Sequence, residues 1–161
     1  MTRPDHRAIK PSSVHAIFIR SPAERVWSAL TSKAEAPRYF FGRIVKSTWK
    51  VGEAWTAYLP DDGGVDTTGV VLEADPPRRL VVTWRVQWLE EARALGEAIV
   101  AYEIEPAGDG VVKLQVSEWR PAGVPQKYVD AGAIGWAAIL SSLKSLLETG
   151  DALTIRMAPP Q

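Results

Sequence analysis

The longest helical pattern in the chain lies near its C-terminal end, between Pro125 and Gly150. Apolar residues recur there at steps of three and four, which places them on one stripe of a helix. Pro125 is typical of a first helical turn, and Gly150 is typical of the left-handed position that follows a helix. We therefore predict one long helix with a single apolar face. Its apolar stripe consists of Val129, Ala133, Trp136, Leu140, Leu143 and Leu147.

Two glycines, Gly132 and Gly135, lie inside this predicted helix, in a segment where alanines and glycines surround the large residue Trp136. A glycine in a helix interior lowers helix stability by about 1 kcal/mol relative to alanine. The presence of two glycines here therefore requires a structural or functional explanation. Close approach of a strand to the helix backbone would supply one, and contact with a bound molecule would supply another. The sequence leaves both interpretations open.

Before this helix, the apolar pattern predicts a first strand from Val14 to Arg20 and a helix that begins at Ser21-Pro22-Ala23-Glu24. Serine, proline and glutamate in that order are typical of a helix start. A second short helix is predicted from Thr31 to Ala36, because Pro37 disfavours helical continuation. The chain then passes through a cluster of aromatic residues that ends at Gly42.

From Arg43 onward the apolar period becomes that of strands, with turn residues between successive runs. The alternation from Leu80 to Trp88 directs Trp84 and Trp88 toward the buried face of the sheet. Between Thr67 and Ala74 both faces carry apolar residues, so the buried face of that strand is ambiguous. The predicted strands are Ile44 to Trp49, Glu53 to Leu59, Thr67 to Ala74, Leu80 to Trp88, Glu97 to Glu105 and Val111 to Trp119.

The last predicted hairpin places one carboxylate on the inner face of the sheet. Parity directs Val100, Tyr102 and Ile104 inward, together with Val112, Leu114 and Val116, and Glu118 shares this parity. A carboxylate that faces a core must be paired, protonated or close to an open rim, because an isolated buried charge is too costly. Glu118 is therefore the charged residue to follow.

This order of elements predicts an α+β fold. A curved antiparallel sheet of six to seven strands wraps around the long C-terminal helix, and two short helices follow the first strand. The predicted domain covers residues 14–150, with a flexible N-terminal tail at 1–13 and a C-terminal tail at 151–161. A pocket can lie between the sheet and the helix.

Composition narrows the functional classes. The 161-residue chain has equal numbers of acidic and basic residues, which makes nucleic acid an improbable partner. It has no cysteine, so thiolate chemistry and disulfides are excluded. The N-terminal stretch has no apolar run, which indicates neither a secretory signal nor a membrane span, and we expect a cytoplasmic protein.

Catalytic and metal motifs are equally sparse. The two histidines, His6 and His15, supply neither a metal cluster nor a nucleophilic triad. The glycine pairs at Gly63-Gly64 and Gly108 to Gly110 belong to hairpin turns rather than to a phosphate cradle. We therefore predict no metal, no cofactor and no assigned catalytic residue.

Several segments resemble the bacterial proteins related to the activator of the Hsp90 ATPase. The similarity extends from about Val14 to Gly150 and includes the turn Val51-Gly52 before an aromatic strand. Its motifs are Ser21 to Trp27 with Ala29-Leu30, Gly69 followed by Glu73 to Leu80 and Trp84, and the ending Gly135-Trp136, Leu140, Leu143-Lys144 and Leu147 to Gly150.

The resemblance implies the helix-grip fold shared with lipid-transfer START domains, plant pathogenesis-related proteins and aromatase/cyclases. In that fold a cavity lies between the sheet and the long helix. The charged segment from Leu89 to Gly96 looks lengthened relative to the usual pattern, and we expect it to contribute to a pocket lid.

Seven tryptophans in a small domain either fill it or line a cavity. Our preferred hypothesis is a protein that binds a small apolar or aromatic ligand, with Glu118 as polar anchor. One alternative is a cyclase- or hydrolase-type enzyme that uses Glu118. Another is a protein that acts on a chaperone or regulatory partner and that can form a homodimer through an exposed strand edge. A third is a domain whose tryptophans fill its interior completely. The expected lining residues are Phe40, Trp55, Trp84, Trp88, Tyr102, Glu118, Trp136 and Leu140.

Overall fold

The computed structural model describes residues 5–157, which form a seven-stranded antiparallel sheet and four α-helices. The strand order is β1-β7-β6-β5-β4-β3-β2, so β1 and β2 are the edges. The strands are β1 (Ser13–Arg20), β2 (Ile44–Ser47), β3 (Ala54–Tyr58), β4 (Val65–Asp75), β5 (Arg79–Val86), β6 (Ala98–Gly108) and β7 (Val111–Trp119). The helices are α1 (Ala23–Thr31), α2 (Ala36–Tyr39), α3 (Glu90–Ala94) and α4 (Gln126–Thr149). The predicted α+β helix-grip fold is confirmed.

Helix α4 packs on the sheet only through its C-terminal half. From Gln126 to Gly135 every residue is exposed or half-buried, and the fully buried residues begin at Trp136. Ala133, predicted on the apolar stripe, is exposed, because the helix has lifted away from the sheet before this turn. Gly150 ends the helix with φ of 86°, as predicted. The buried residues of α4 are Trp136, Ala138, Leu140, Ser142, Leu143 and Leu146.

The hairpin β6–β7 presents the predicted inner face. Tyr102 lies opposite Val116, and Val100 lies opposite Glu118. Val100 and Val116 are buried in the core under α4, so the predicted parity is correct. Glu118 therefore faces the inside of the sheet, at the end of the strand pair.

The second short helix differs from the prediction. Helix α2 begins at Ala36 and includes Pro37 in its first turn. Proline is tolerated there because the backbone N–H that it lacks would have no partner within the helix. The preceding turn is held by Ser32, whose side chain accepts hydrogen bonds from the backbone N–H groups of Ala34 and Glu35. Proline lies in the first turn of this helix instead of ending one. Phe40, which follows the helix, packs against Trp84 with ring centroids 5.9 Å apart.

The N-terminal segment, expected to be loose, packs on the outer face of the sheet over residues 5–12, while residues 1–4 lie outside the described part. His6 is buried and meets the ring of Trp119 edge-on, with centroids 5.1 Å apart. Trp119 Nε1 donates to the carbonyl of Ile9 at 2.8 Å. These contacts cover a second apolar cluster formed by Val81, Ile99 and Ala101 with Leu72.

At the other terminus, the chain after α4 runs back along the helix. The hydroxyl of Ser142 lies 3.2 Å from both the backbone N and the carbonyl oxygen of Leu153. Ala152 packs against the core. The predicted tail is thus attached near its start, and residues 158–161 lie outside the described part.

At Gly69 in β4, the indole of Trp55 and the backbone of Thr83 in β5 lie very close to the glycine. A Cβ built there would lie 1.8 Å from the carbonyl oxygen of Thr83 and 2.2 Å from Nε1 of Trp55. That indole N–H donates to the same Thr83 oxygen at 2.8 Å, so the ring crosses directly over the glycine. Any side chain at this position displaces Trp55 from the core.

We expect Gly69→Ala to lower the free energy of unfolding by about 2 kcal/mol or more, because the methyl group overpacks this crossing. Chemical denaturation followed by tryptophan fluorescence measures the loss. Gly135→Ala is the matched control, since a Cβ there has no neighbour within 4 Å and should raise helix stability. Equal effects of the two substitutions would contradict this packing.

Glu73 holds the N-terminal segment to the sheet through two arginines. Its Oε2 accepts from Arg79 Nε at 3.0 Å and its Oε1 from Arg7 Nε at 3.1 Å. Partial burial alone would raise the pKa of Glu73, but the hydrogen bonds and charges of Arg79 and Arg7 outweigh it and lower that pKa. His6 Nε2 lies 3.5 Å from the same carboxylate.

Because the folded-state pKa of Glu73 is lowered, its stabilising contribution is present above the ordinary value of 4.5 and is lost as the pH falls below it. We expect Glu73→Gln to cost about 1 kcal/mol near neutral pH and progressively less as the pH falls below 4.5 and through the lowered folded-state pKa of Glu73. Denaturant titrations at a series of acidic pH values measure this decline. Glu105→Gln, at a mostly exposed pair, is the control. A cost that persists in acid would refute the pairing.

Candidate functional site

The space between the sheet and the middle of α4 is filled by aromatic rings. Ring centroids lie 4.9 Å apart for Trp55 and Trp84, 5.7 Å for Trp84 and Trp136, and 6.0 Å for Tyr102 and Trp136. The inner cavity that remains has a volume of about 40 Å³. Ligand pockets usually measure roughly 300 to 1,000 Å³, so this cavity is too small for an organic molecule.

A larger, more open pocket lies at the mouth of this space, with a volume of about 330 Å³. We call it the outer pocket. It is bounded by the N-terminal half of α4, the end of β5, the segment around α3 and the turn after α2. Its aromatic and apolar lining includes Phe40, Phe41, Trp84, Val86, Trp88, Leu89, Leu95, Val124, Tyr128, Trp136 and Ile139. Size and lining both fit a small, mainly apolar molecule.

Gly132 and Gly135 form part of the wall that α4 contributes to the outer pocket. A Cβ built on either glycine would have no neighbouring heavy atom within 4 Å. Close packing of a strand therefore does not require these glycines, which decides against that interpretation of the sequence. Their absent side chains leave open space beside Trp136.

Glu118 lies in the wall of the outer pocket, at the boundary with the inner cavity. Its Oε1 accepts from Arg120 Nη1 at 2.8 Å, and its Oε2 accepts from Trp136 Nε1 at 3.1 Å. Arg120 Nη1 also lies 3.1 Å from Ser13 Oγ. The sequence required this carboxylate to be paired, protonated or close to an open rim, and the structure shows it paired with Arg120. Glu118 thereby fixes the orientation of the Trp136 indole.

A second ion pair, Arg43 with Asp66, lies across the same pocket. Arg43 Nε is 2.8 Å from Asp66 Oδ1, and the guanidinium carbon is 5.5 Å from the ring centre of Phe40 and 5.6 Å from that of Phe41. Phe41 adopts φ of 49°, a left-handed conformation that is rare for a bulky residue. This strained turn directs Phe41 and Arg43 to the pocket.

Helix α3 covers one side of the outer pocket, as the expectation of a lid at Leu89 to Gly96 suggested. It has no buried residue of its own. Its Glu91 lies 3.1 Å from Lys127 Nζ at the start of α4. A hydrogen bond with Glu91 also raises the pKa of Tyr128. The lid is thus attached to α4 by exposed polar contacts, which are individually weak.

The eight predicted ligand-binding residues divide between the two spaces. Phe40, Trp84 and Trp136 line both. Trp55, Tyr102 and Leu140 line only the inner cavity, and Trp88 and Glu118 line only the outer pocket. Trp88 is not buried as its parity predicted, because β5 ends at Val86. Sequence reasoning missed Phe41, Arg43, Asp66, Arg120 and Tyr128 as lining residues.

Two buried tyrosines near the inner cavity have raised pKa values. Burial raises the pKa of Tyr39, which donates to the carbonyl of Ala29 at 2.8 Å. Burial, and secondly the charge of Glu118, raises the pKa of Tyr102. Both phenols therefore stay neutral. Within residues 5–157, no group of three or more acidic or histidine side chains could hold a metal ion, and no helix could cross a membrane.

A model of the family described as "Activator of Hsp90 ATPase homolog 1-like protein" matches residues 20–148. The chain belongs to this family. The match confirms the resemblance drawn from the motifs between Val14 and Gly150. No curated protein matches the chain in sequence.

Solved structures of this family's fold are similar over most of the chain. Protein MLL2253 from Mesorhizobium loti has a TM-score of 0.69 at 20% identity, over 84% of this chain and 96% of that one. The Aha1 dimer from Colwellia psychrerythraea gives 0.68 at 18% identity, over 85% and 96%. PFC0360w, an HSP90 activator from Plasmodium falciparum, gives 0.68 at 17% identity, over 86% and 96%. At these low identities, the TM-scores show a common fold.

Proposed function

We propose that this protein binds a small aromatic or apolar molecule in the outer pocket. The observation that carries the proposal is the pair Gly132 and Gly135, whose missing side chains open the wall of a 330 Å³ pocket and serve no packing. Two interior glycines together cost the helix about 2 kcal/mol relative to alanine. A ligand that occupies the space they leave accounts for that cost.

The proposed ligand lies on the outer surface of the aromatic cluster rather than inside it. Trp84 and Trp136 border both spaces, so a molecule in the outer pocket would contact their rings without entering the core. Stacking on aromatic faces and burial of apolar area would supply the main binding free energy. The ion pair of Arg43 and Asp66 in the pocket wall would orient a polar group of the ligand.

The proposal predicts that Gly135→Leu weakens ligand binding while the fold remains intact. A leucine would occupy the pocket, and replacement of a helical glycine should not weaken α4. Titration with naphthalene derivatives, followed by tryptophan fluorescence, should show affinity reduced at least about tenfold. Ala133→Leu, at an exposed position of the same helix, is the matched control and should bind normally. Unchanged affinity in the Gly135 variant would contradict this pocket assignment.

A second candidate function is an interaction with a chaperone, either as a monomer or as a homodimer. It is supported by the family description and by the fold shared with an Aha1 dimer and an HSP90 activator. The edge strand β1 also exposes Val14 and Phe18, with half or more of each side chain accessible. Such an edge is a common place for chains to associate.

The chaperone function predicts a rise in the ATPase rate of an Hsp90 chaperone when the full chain is added. Phe18→Lys should abolish that rise and any homodimer seen by sedimentation velocity, because a charged edge residue opposes association. Lys113→Ala, opposite Phe18 on the neighbouring strand, is a control that leaves the exposed ring in place. An unchanged ATPase rate at saturating protein would exclude this function for the chaperone tested.

A further inference from the structure

The ion pair Arg43–Asp66 in the outer pocket is incompletely hydrogen-bonded. Asp66 lies near the start of β4 and is almost fully buried. Its Oδ2 accepts from the hydroxyl of Thr67 at 2.7 Å. Its Oδ1 is buried and lies 2.8 Å from Arg43 Nε, but the two make no aligned hydrogen bond. A buried carboxylate oxygen in this condition calls for an explanation.

Arg43 has donors that the described residues do not use. Within residues 5–157, its terminal nitrogens make no hydrogen bond, while Phe40 and Phe41 hold the guanidinium from two sides. Its side chain is partly accessible and lines the outer pocket. An unused donor in the pocket wall and an unused, buried acceptor therefore lie side by side.

The other ion pair of the pocket differs in this respect. Both oxygens of Glu118 accept hydrogen bonds, from Arg120 and from Trp136. Glu118, the polar anchor expected from sequence, already has its partners within the protein. Of the two pocket carboxylates, Asp66 is the one with an oxygen that accepts no hydrogen bond.

Charge balance limits what this wall can bind. Arg43 and Asp66 neutralise each other, and so do Arg120 and Glu118. An added carboxylate or ammonium group would introduce an unbalanced charge into a largely apolar pocket, which is costly. A neutral hydroxyl fits once the carboxylate of Asp66 turns toward the pocket, because its oxygen then accepts from Arg43 and its hydrogen is donated to Asp66 Oδ1, which is buried before the ligand binds.

We propose that the outer pocket selects neutral hydroxylated aromatic molecules, with the hydroxyl bound between Arg43 and Asp66. This inference rests on the proposed ligand-binding function and adds the chemical class of the ligand to it. The aromatic body would lie against Trp84 and Trp136, beside the open wall at Gly132 and Gly135. The selected feature is a group that both accepts and donates a hydrogen bond.

Four probes of similar size test the inference by isothermal titration calorimetry. 2-Naphthol accepts and donates, 2-methoxynaphthalene only accepts, 2-methylnaphthalene does neither, and 2-naphthoate is charged. We expect 2-naphthol to bind about tenfold more tightly than 2-methylnaphthalene, because hydrogen bonds to charged groups are the stronger ones. The methoxy compound and the carboxylate should both bind more weakly than the naphthol.

The double variant Arg43→Met/Asp66→Leu should bind 2-naphthol and 2-methylnaphthalene equally. Replacing both members of a buried pair by apolar residues avoids an uncompensated charge. Arg43→Lys, which keeps the charge but lacks the guanidinium fork, should also reduce the preference and serves if the double variant does not fold. The control Arg25→Met/Glu35→Leu removes an ion pair outside both spaces and should keep the preference.

Two results would overturn the inference while the pocket assignment stands. One is equal affinity of the wild type for all four probes, and the other is tightest binding of 2-naphthoate. A preference for 2-naphthol that survives in the Arg43→Met/Asp66→Leu variant also overturns it. If no probe binds the wild type at all, the proposed function fails together with this inference.

Discussion

The contact on which the structure depends is the packing of Trp55, Trp84 and Trp136 between the sheet and α4. Each ring pair adds about 0.5 to 1.5 kcal/mol beyond the burial of its area. Two of the indole N–H groups also have acceptors, since Trp55 donates to Thr83 O and Trp136 donates to Glu118. Satisfied polar edges allow rings of this size to be buried without an unpaired donor.

This packing determines where an open pocket can form. The rings fill the space under the C-terminal half of α4, where the inner cavity is only about 40 Å³. The N-terminal half has no buried residue before Trp136 and no side chain at Gly132 or Gly135. The space therefore opens at the mouth, where α3 and the strained turn at Phe41 complete the wall. The same helix serves as a core element in one half and as a pocket wall in the other.

The charges at the mouth follow from the same arrangement. Glu118 lies near the end of β7, a strand whose other inward-facing residues are apolar. Its charge is therefore balanced by Arg120 and hydrogen-bonded by the indole of Trp136. Asp66 has an equivalent position on β4 and pairs with Arg43, but leaves one oxygen without an aligned hydrogen bond. Two balanced ion pairs in an apolar lining give the pocket polarity without net charge, which favours a neutral ligand.

Patterns that depend on local period were predictable from the sequence. The extent of α4, the inward face of the β6–β7 hairpin and the left-handed Gly150 all follow from spacing and residue type. The exposure of Ala133 and Trp88 was not predictable, because it depends on where a helix leaves the sheet and where a strand ends. Asp66 and Arg43 lie 23 residues apart, and only the turn after α2 brings them together. The burial of His6 likewise depends on a distant partner, Trp119.

The position of a bound aromatic molecule tests the central claim most directly. Crystals soaked with 6-bromo-2-naphthol, measured at the bromine absorption edge, would locate the ring system by anomalous scattering. The account predicts one bromine site in the outer pocket, with the naphthol ring between Trp84 and the open wall at Gly132 and Gly135. A bromine site inside the aromatic cluster, near Trp55 and Leu143, or no site in a fully soaked crystal would contradict it.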